Sequence, residues 1–191
     1  MKKYIFILFT LIFGLISFLN EVNGQSLEYD LKVGIPIPVG DTFLSQYDGI
    51  FSSEAAIGYP IGKDYSVYLG LEYQRLNFEL TGVDANIISP RVGLKKIIFI
   101  SNRIIIVPDV SLGYSRFGFK LNSDIEDDIS LNGISLGFGI TPKFGITNKW
   151  NLGVSVRYVA TFMELSEGVQ DTAFNKEYHV ISPGIVTTFK F

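Results

Sequence analysis

The single histidine is the side chain of this sequence best suited to acid–base chemistry near neutral pH. It lies in the stretch EYHVISPG, where Glu177 precedes His179 by two residues and Ser182 follows it by three. On a strand, residues two apart point to one face, and residues three apart point to opposite faces. Glu177 can therefore share a face with His179, but Ser182 cannot, so no nucleophile–base pair forms. We expect His179 to be an interfacial or loop-edge residue, and we predict no catalytic residue.

A second candidate is the acidic stretch NSDIEDDIS, which contains Asp124, Glu126, Asp127 and Asp128. Carboxylate clusters can bind Ca²⁺, but this spacing lacks the EF-hand pattern and its glycine. A solvated acidic loop is the favoured interpretation, because runs of like charge are usually solvated. The chain has no cysteine, which excludes disulfides and thiolate metal sites. We expect no metal and no cofactor, and the net charge of −3 offers no basic surface for nucleic acid.

The N-terminus has the pattern of a secretory signal peptide. Two lysines precede a long apolar run, and the small residues Val22 and Gly24 suit the positions before a cleavage site. We predict a signal peptide over residues 1–24 and a single domain over residues 25–191. An uncut N-terminal anchor helix is the alternative.

Beyond the predicted cleavage site, apolar and polar residues alternate with period two. In LEYDLKVGIPIPV, every second residue from Leu27 to Val39 is apolar, and the residues between them include Glu28, Asp30 and Lys32. About eight such segments follow one another, with no convincing helix among them. Tight polar turns fall at 61–64, 101–103 and 147–149, and other connections, most of them longer, fall near 40–49, 81–85, 122–129 and 166–176. This order predicts an all-β, up-and-down antiparallel barrel.

The two faces of these strands distinguish a soluble barrel from a membrane barrel. One face is rich in Leu, Ile, Val and Phe, and the other in Gly, Ser and Thr with scattered charges. A soluble, lipocalin-like barrel would expose a charged face, whereas this small polar face suits a narrow lumen. We predict a transmembrane barrel whose apolar face contacts lipid and whose lumen charges of both signs neutralise one another. The predicted lumen charges are Lys32, Glu54, Glu72, Arg91, Lys95, Asp109, Lys143 and Arg157.

Aromatic residues near the ends of the apolar face predict girdles at the two membrane interfaces. The intervals from Tyr65 to Tyr73 and from Trp150 to Tyr158 are close to the ~9–11 residues that a membrane strand needs. The predicted girdle consists of Tyr65, Tyr73, Tyr114, Trp150, Tyr158 and Phe189.

Two kinds of irregularity are expected along the strands. Prolines at outward positions remove a hydrogen-bond donor, which predicts bulges or weak points at Pro90, Pro108 and Pro183. After Tyr73 and Tyr114 the apolar residues change phase, and this predicts a β-bulge in each strand. Both changes follow the outer tyrosine of their strand, so we expect these hairpins to extend beyond the membrane on the extracellular side.

Together these features resemble the small outer-membrane β-barrels of Gram-negative bacteria, the OmpA/OmpX-like domains. The resemblance covers nearly all of residues 25–191 and rests on the signal peptide, the amphipathic strands and a last strand that ends in Phe191. It implies a location in the Gram-negative outer membrane, with membrane lipid and lipopolysaccharide as partners. In this family the last strand also carries the signal recognised by the barrel-assembly machinery. Ile185, Phe189 and Phe191 occupy the matching alternate positions, and Thr187 is less apolar than the pattern favours.

The resemblance also bears on activity. Deacylase-type members of the family use a His and a Ser two residues apart on the lipid face, but here Ile181 follows His179 at that spacing. We therefore predict a non-enzymatic barrel with a structural, adhesive or partner-binding role, a filled lumen, and extracellular loops that bind a protein or surface ligand. A narrow channel or small-solute transporter is the alternative, and a lipid A-modifying enzyme is a weaker one.

Overall fold

The computed structural model describes residues 27–78, 83–120, 130–164 and 176–191. The predicted signal peptide at 1–24 and the acidic stretch at 124–128 lie outside these ranges. The described chain forms β1 (Glu28–Gly34), β2 (Ile37–Val39), a 3-10 helix (Phe43–Gln46), β3 (Tyr47–Pro60), β4 (Tyr65–Phe78), β5 (Val83–Lys96), β6 (Ile98–Phe99), β7 (Ile104–Lys120), β8 (Ser130–Gly145), β9 (Trp150–Glu164) and β10 (Glu177–Lys190). Within those ranges, no helix has the length and apolar character needed to cross a membrane.

Eight of these strands form a closed barrel. Their order is β1-β3-β4-β5-β7-β8-β9-β10, each strand is antiparallel to the next, and β10 pairs with β1. The two remaining strands are short continuations: β2 pairs with β10 in the register of β1, and β6 pairs with β7 in the register of β5. The predicted all-β, up-and-down barrel of about eight strands is confirmed.

The stagger of the barrel follows from its registers. A path through directly paired residues starts at Glu28 and passes Gly58, Tyr68, Gly93, Ser111, Gly137, Val159 and Val180 before it reaches Pro38. The path returns to β2, the continuation of β1, ten residues beyond its start, so the strands are strongly tilted to the barrel axis. A barrel of eight strands has an interior just wide enough for side chains.

The two ends of the barrel differ. The short turns at 61–64, 100–103 and 146–149 lie at one end, with Leu27 and Phe191, and we call this the turn end. The segment between β2 and β3 lies at the other end, which we call the loop end, together with the strand ends that flank the β4–β5, β7–β8 and β9–β10 connections. In outer-membrane barrels the short turns face the periplasm and the longer loops face outward.

The prolines interrupt ladders between strands without forming bulges. Ile35 donates its backbone N–H to the carbonyl of Pro183 (3.1 Å), and Pro183 has no N–H to return, which separates β1 from β2. The β5–β7 ladder likewise omits Pro90, and it stops at the Lys95–Asp109 pair, one position before the residue opposite Pro108. The predicted weak points are therefore ladder gaps. A register shift does occur in β3, between Gly49 and Phe51.

The predicted bulges after Tyr73 and Tyr114 are wrong. The β4–β5 and β7–β8 pairs keep one register throughout, and Leu76 and Phe117 are fully buried inside the barrel. Alternation therefore continues in phase, and it is the lumen that changes from polar to apolar toward the loop end. Both hairpins do continue beyond the tyrosines, to Phe78 and Lys120.

Candidate functional site

The lumen is the candidate site, because strand alternation directs every second side chain into it. The structure places all eight charges named from the sequence in this interior, where each is buried. It adds Asp30, whose side chain is 12% exposed. Asp30 lies two residues before Lys32 on the polar face of the first strand, so strand alternation alone could have indicated it.

One network crosses the lumen through Arg157, and we call it the Arg157 network. The guanidinium contacts the carboxylate of Glu54, and its Nη2 donates to Asp109 Oδ1 (3.0 Å). The Tyr68 hydroxyl donates to the same Asp109 oxygen (2.9 Å). These groups come from β9, β3, β7 and β4, so the network joins opposite walls of the barrel. The fork of an arginine suits this role because it presents several donors in a fixed geometry.

A second group, the Asp30 cluster, lies nearer the turn end. The Asp30 carboxylate contacts the ammonium groups of Lys95 and Lys143, the latter at 3.0 Å. It also accepts a hydrogen bond from the Thr188 hydroxyl, which in turn accepts one from Lys143 (2.7 Å). Two cations thus share one carboxylate. Elsewhere in the lumen, Arg91 forms an ion pair with Glu72.

The interior near the loop end is apolar and forms what we call the loop-end plug. Its members are Leu44, Leu76, Ala85, Ile87, Phe117, Met163, Tyr178 and Val180. Leu44 belongs to the 3-10 helix between β2 and β3 and is fully buried, so this loop folds into the mouth of the barrel. The neighbouring Phe43 ring meets those of Phe117 (5.5 Å) and Tyr178 (6.0 Å) edge to face. Burial raises the pKa of the Tyr178 phenol, which favours its neutral form in the plug.

The outer surface of the barrel is apolar between two bands of aromatic side chains. The six residues named as a girdle all point outward, with exposures from 37% to 46%. Near the turn end, Trp150 stacks on Phe189 with 6.1 Å between ring centres. Its indole N–H donates to the Thr187 hydroxyl (2.7 Å), so Thr187 has a polar role on this surface. Ile185 and Phe189 also point outward on the last strand, and the exposed Phe191 directly follows it.

His179 lies at the loop end of the outer surface, where it makes a contact with a girdle residue that sequence reasoning missed. A hydrogen bond of 2.8 Å joins its Nδ1 to the hydroxyl of Tyr158, and the two rings are stacked. Tyr158 is 21 residues away on β9, and only the strand register reveals the contact. Ser182 is buried in the lumen on the opposite face. The Glu177 carboxylate is 3.9 Å from Nε2, beyond hydrogen-bond distance, so it does not orient the imidazole as the acid of a catalytic triad does.

No protein-family model matches the sequence, and a search of curated proteins found no match. Solved structures do match. Neisserial surface protein A superposes with a TM-score of 0.66 at 15% identity, covering 86% of this chain and 97% of that one. The attachment invasion locus protein Ail of Yersinia pestis superposes at 0.54 with 13% identity, covering 87% and 99%. Ail in complex with the heparin analogue sucrose octasulfate gives 0.52 at 12% identity, with the same coverage.

This is the fold of a small outer-membrane β-barrel. The predicted resemblance to the OmpA/OmpX-like domains is confirmed at the level of the fold. The location in an outer membrane follows from that fold together with the apolar outer surface, since closed barrels are the form in which strands can cross a membrane.

Proposed function

We propose that this barrel has a closed lumen and acts at its loop end, where it binds a protein or a surface ligand. The observation that carries the proposal is that the lumen is filled at two levels by different means. Charged side chains of opposite walls pair across the interior in the Arg157 network and the Asp30 cluster. Above them, the loop-end plug fills the mouth. Such an interior favours binding at the outer end over passage of a solute.

The hairpins beyond the outer tyrosines supply a surface for a ligand. β4 continues five residues past Tyr73, and β7 continues six residues past Tyr114. Cross-strand contacts hold the first hairpin: the Tyr73 hydroxyl donates to Asn86 Oδ1 (2.6 Å), and Arg75 pairs with Asp84 (2.5 Å). The structure of Ail in complex with sucrose octasulfate supports a ligand-binding role by analogy, because it is a barrel of this fold with a bound ligand.

Conductance in planar bilayers tests the closed lumen. We expect no stable openings for the wild-type barrel, because each level blocks the lumen by itself. Arg157→Ala and Phe117→Ala should each remain closed, whereas the double variant should show openings. Large, stable openings of the wild-type barrel would overturn the proposal and favour a channel.

Capture of a partner tests the binding role. Tagged barrel is recovered from gently solubilised membranes, with and without protease treatment of intact cells beforehand. We expect a partner that is lost after the exposed loops are cut, while heat-modifiable gel mobility shows that the barrel persists. Equal recovery of the partner from treated and untreated cells would show that the partner does not bind at the loop end.

Mass spectrometry of lipid A tests the non-enzymatic part of the proposal. We expect the lipid A profile to be the same in cells that overproduce the wild-type barrel and in cells that overproduce His179→Ala. A change in acylation that depends on His179 would instead assign an activity to the Tyr158–His179 pair.

A further inference from the structure

The lumen contains a partly enclosed cavity of about 30 Å³ between its middle and the turn end. Both this volume and the roughly 10–15 Å³ needed for one water molecule measure the space that the centre of a water-sized sphere can occupy. The cavity can therefore hold a water molecule or a small ion. The charged side chains that line it are Asp30, Lys32, Glu54, Lys95, Asp109, Lys143 and Arg157. The cavity thus lies between the Arg157 network and the Asp30 cluster.

The charges around this cavity do not cancel. Four cations, on Lys32, Lys95, Lys143 and Arg157, face three carboxylates, which leaves an excess of one positive charge. The other buried charges of the described chain do not supply the missing anion. Glu72 pairs with Arg91, and Glu28 pairs with Lys190 (3.0 Å).

Lys32 differs from the other three cations. Lys95 and Lys143 both contact Asp30, and Arg157 contacts two carboxylates. Lys32 is 5% exposed, and its ammonium donates to the backbone carbonyl of Ser182 (3.0 Å). Among the described residues it forms no ion pair with a carboxylate. An ammonium has three donors, so Lys32 can offer others to a ligand in the cavity.

We propose that the lumen binds one small monovalent anion, of the size of chloride, in this cavity beside Lys32. A buried charge without a counter-charge is strongly unfavourable, and a bound halide removes the excess without any change in the fold. The volume and the single excess charge favour a monatomic halide over polyatomic or doubly charged anions such as sulfate. The inference concerns the interior of the barrel and does not depend on a ligand at the loop end.

Bromide is the probe for the test, because it replaces chloride and scatters anomalously. Crystals of the refolded barrel grown in sodium bromide should show an anomalous peak in the cavity next to Lys32 Nζ. In solution, the midpoint of thermal unfolding should be higher in chloride than in gluconate at equal ionic strength. At a chloride concentration about 100 times the dissociation constant, linkage predicts a rise of about 5–10 °C for a chain of this size.

Lys32→Met removes the excess charge and should abolish both the anomalous peak and the chloride-dependent rise. Lys63→Met, at an exposed turn residue, is the matched control and should keep both. The wild-type measurements need no variant, so the proposal remains testable if Lys32→Met does not fold. No bromide peak together with equal midpoints in chloride and gluconate would overturn it, as would a chloride effect of the same size in Lys32→Met.

Discussion

Different interactions hold the side chains at the two levels of the lumen. Near the turn end, Arg157 and Asp30 each hold groups from several strands through charge and hydrogen bonds. Near the loop end, Phe117 and its neighbours form a buried cluster of mainly apolar side chains. Strand alternation is the same at both levels, so alternation decides only which side chains enter the lumen. Their chemistry decides whether they pair through charge or pack as apolar groups.

The difference has an energetic consequence. In a charged level each group depends on its partner, because removal of one leaves the other buried and unpaired. In an apolar level, truncation leaves a cavity whose cost depends on how far the neighbours can relax. The charged level should therefore be the less tolerant of single substitutions, and the following predictions test that ranking.

Arg157→Met should give the largest effect. It leaves Glu54 and Asp109 buried without their arginine, and loss of one member of a buried pair costs about 3–5 kcal/mol. Urea unfolding in detergent micelles, followed by tryptophan fluorescence, measures the loss. Arg116→Met, at an exposed arginine of β7, is the control and should leave the midpoint nearly unchanged. Equal losses in the two variants would mean that the Arg157 network does not stabilise the barrel.

Phe117→Ala should come next, with a loss of about 3–4 kcal/mol from the cavity it leaves in the plug. Phe162→Ala truncates the same side chain at an outward position that is 48% exposed, and it should cost less than half as much. The comparison uses the same urea titration. If the outward truncation were the more destabilising one, the plug would not be a packed core.

Leu44→Ala should have an intermediate effect of about 2 kcal/mol, at the low end for a buried leucine because a loop can partly follow the truncated side chain. It should also expose the segment between β2 and β3 to limited proteolysis. Mass spectrometry of the fragments locates the cut. Unchanged protease resistance of this segment would show that Leu44 does not hold the loop in the mouth.

Arg75→Gln should have the smallest effect, with no measurable change in the urea midpoint. The Arg75–Asp84 pair lies on the outer surface with side-chain exposures of 49% and 37%, and surface ion pairs contribute little. A midpoint shift as large as that of Arg157→Met would contradict the distinction between lumen and surface charges.

The sequence was enough to predict the barrel, but it was not enough to predict which part of the lumen is polar and which is apolar. Period-two alternation predicted the strands, the two faces and the meander, because each of these depends on neighbouring residues. It failed at Leu76 and Phe117, which were interpreted as a change of phase. An apolar residue at an inward position can be explained either by a bulge that turns it outward or by a lumen that has become apolar. Only the uninterrupted registers of β4–β5 and β7–β8 distinguish these two explanations.

Other features of the site depend on partners that are far apart in the chain. Asp30 contacts Lys143, 113 residues away, and Arg157 contacts Glu54, 103 residues away. Strand alternation says that such side chains enter one lumen, but the ten-residue stagger decides which of them meet. The Tyr158–His179 contact on the outer surface depends instead on the register of the neighbouring strands β9 and β10.

By itself, the sequence determined that this chain has a lipid-like face and a small polar face, since the direction of a side chain on a strand is a local property. Tertiary structure decided the pairing of the lumen charges, the folding of Leu44 into the mouth and the excess positive charge around Lys32. These are properties of closure, because a barrel brings every wall within reach of the others across a narrow interior.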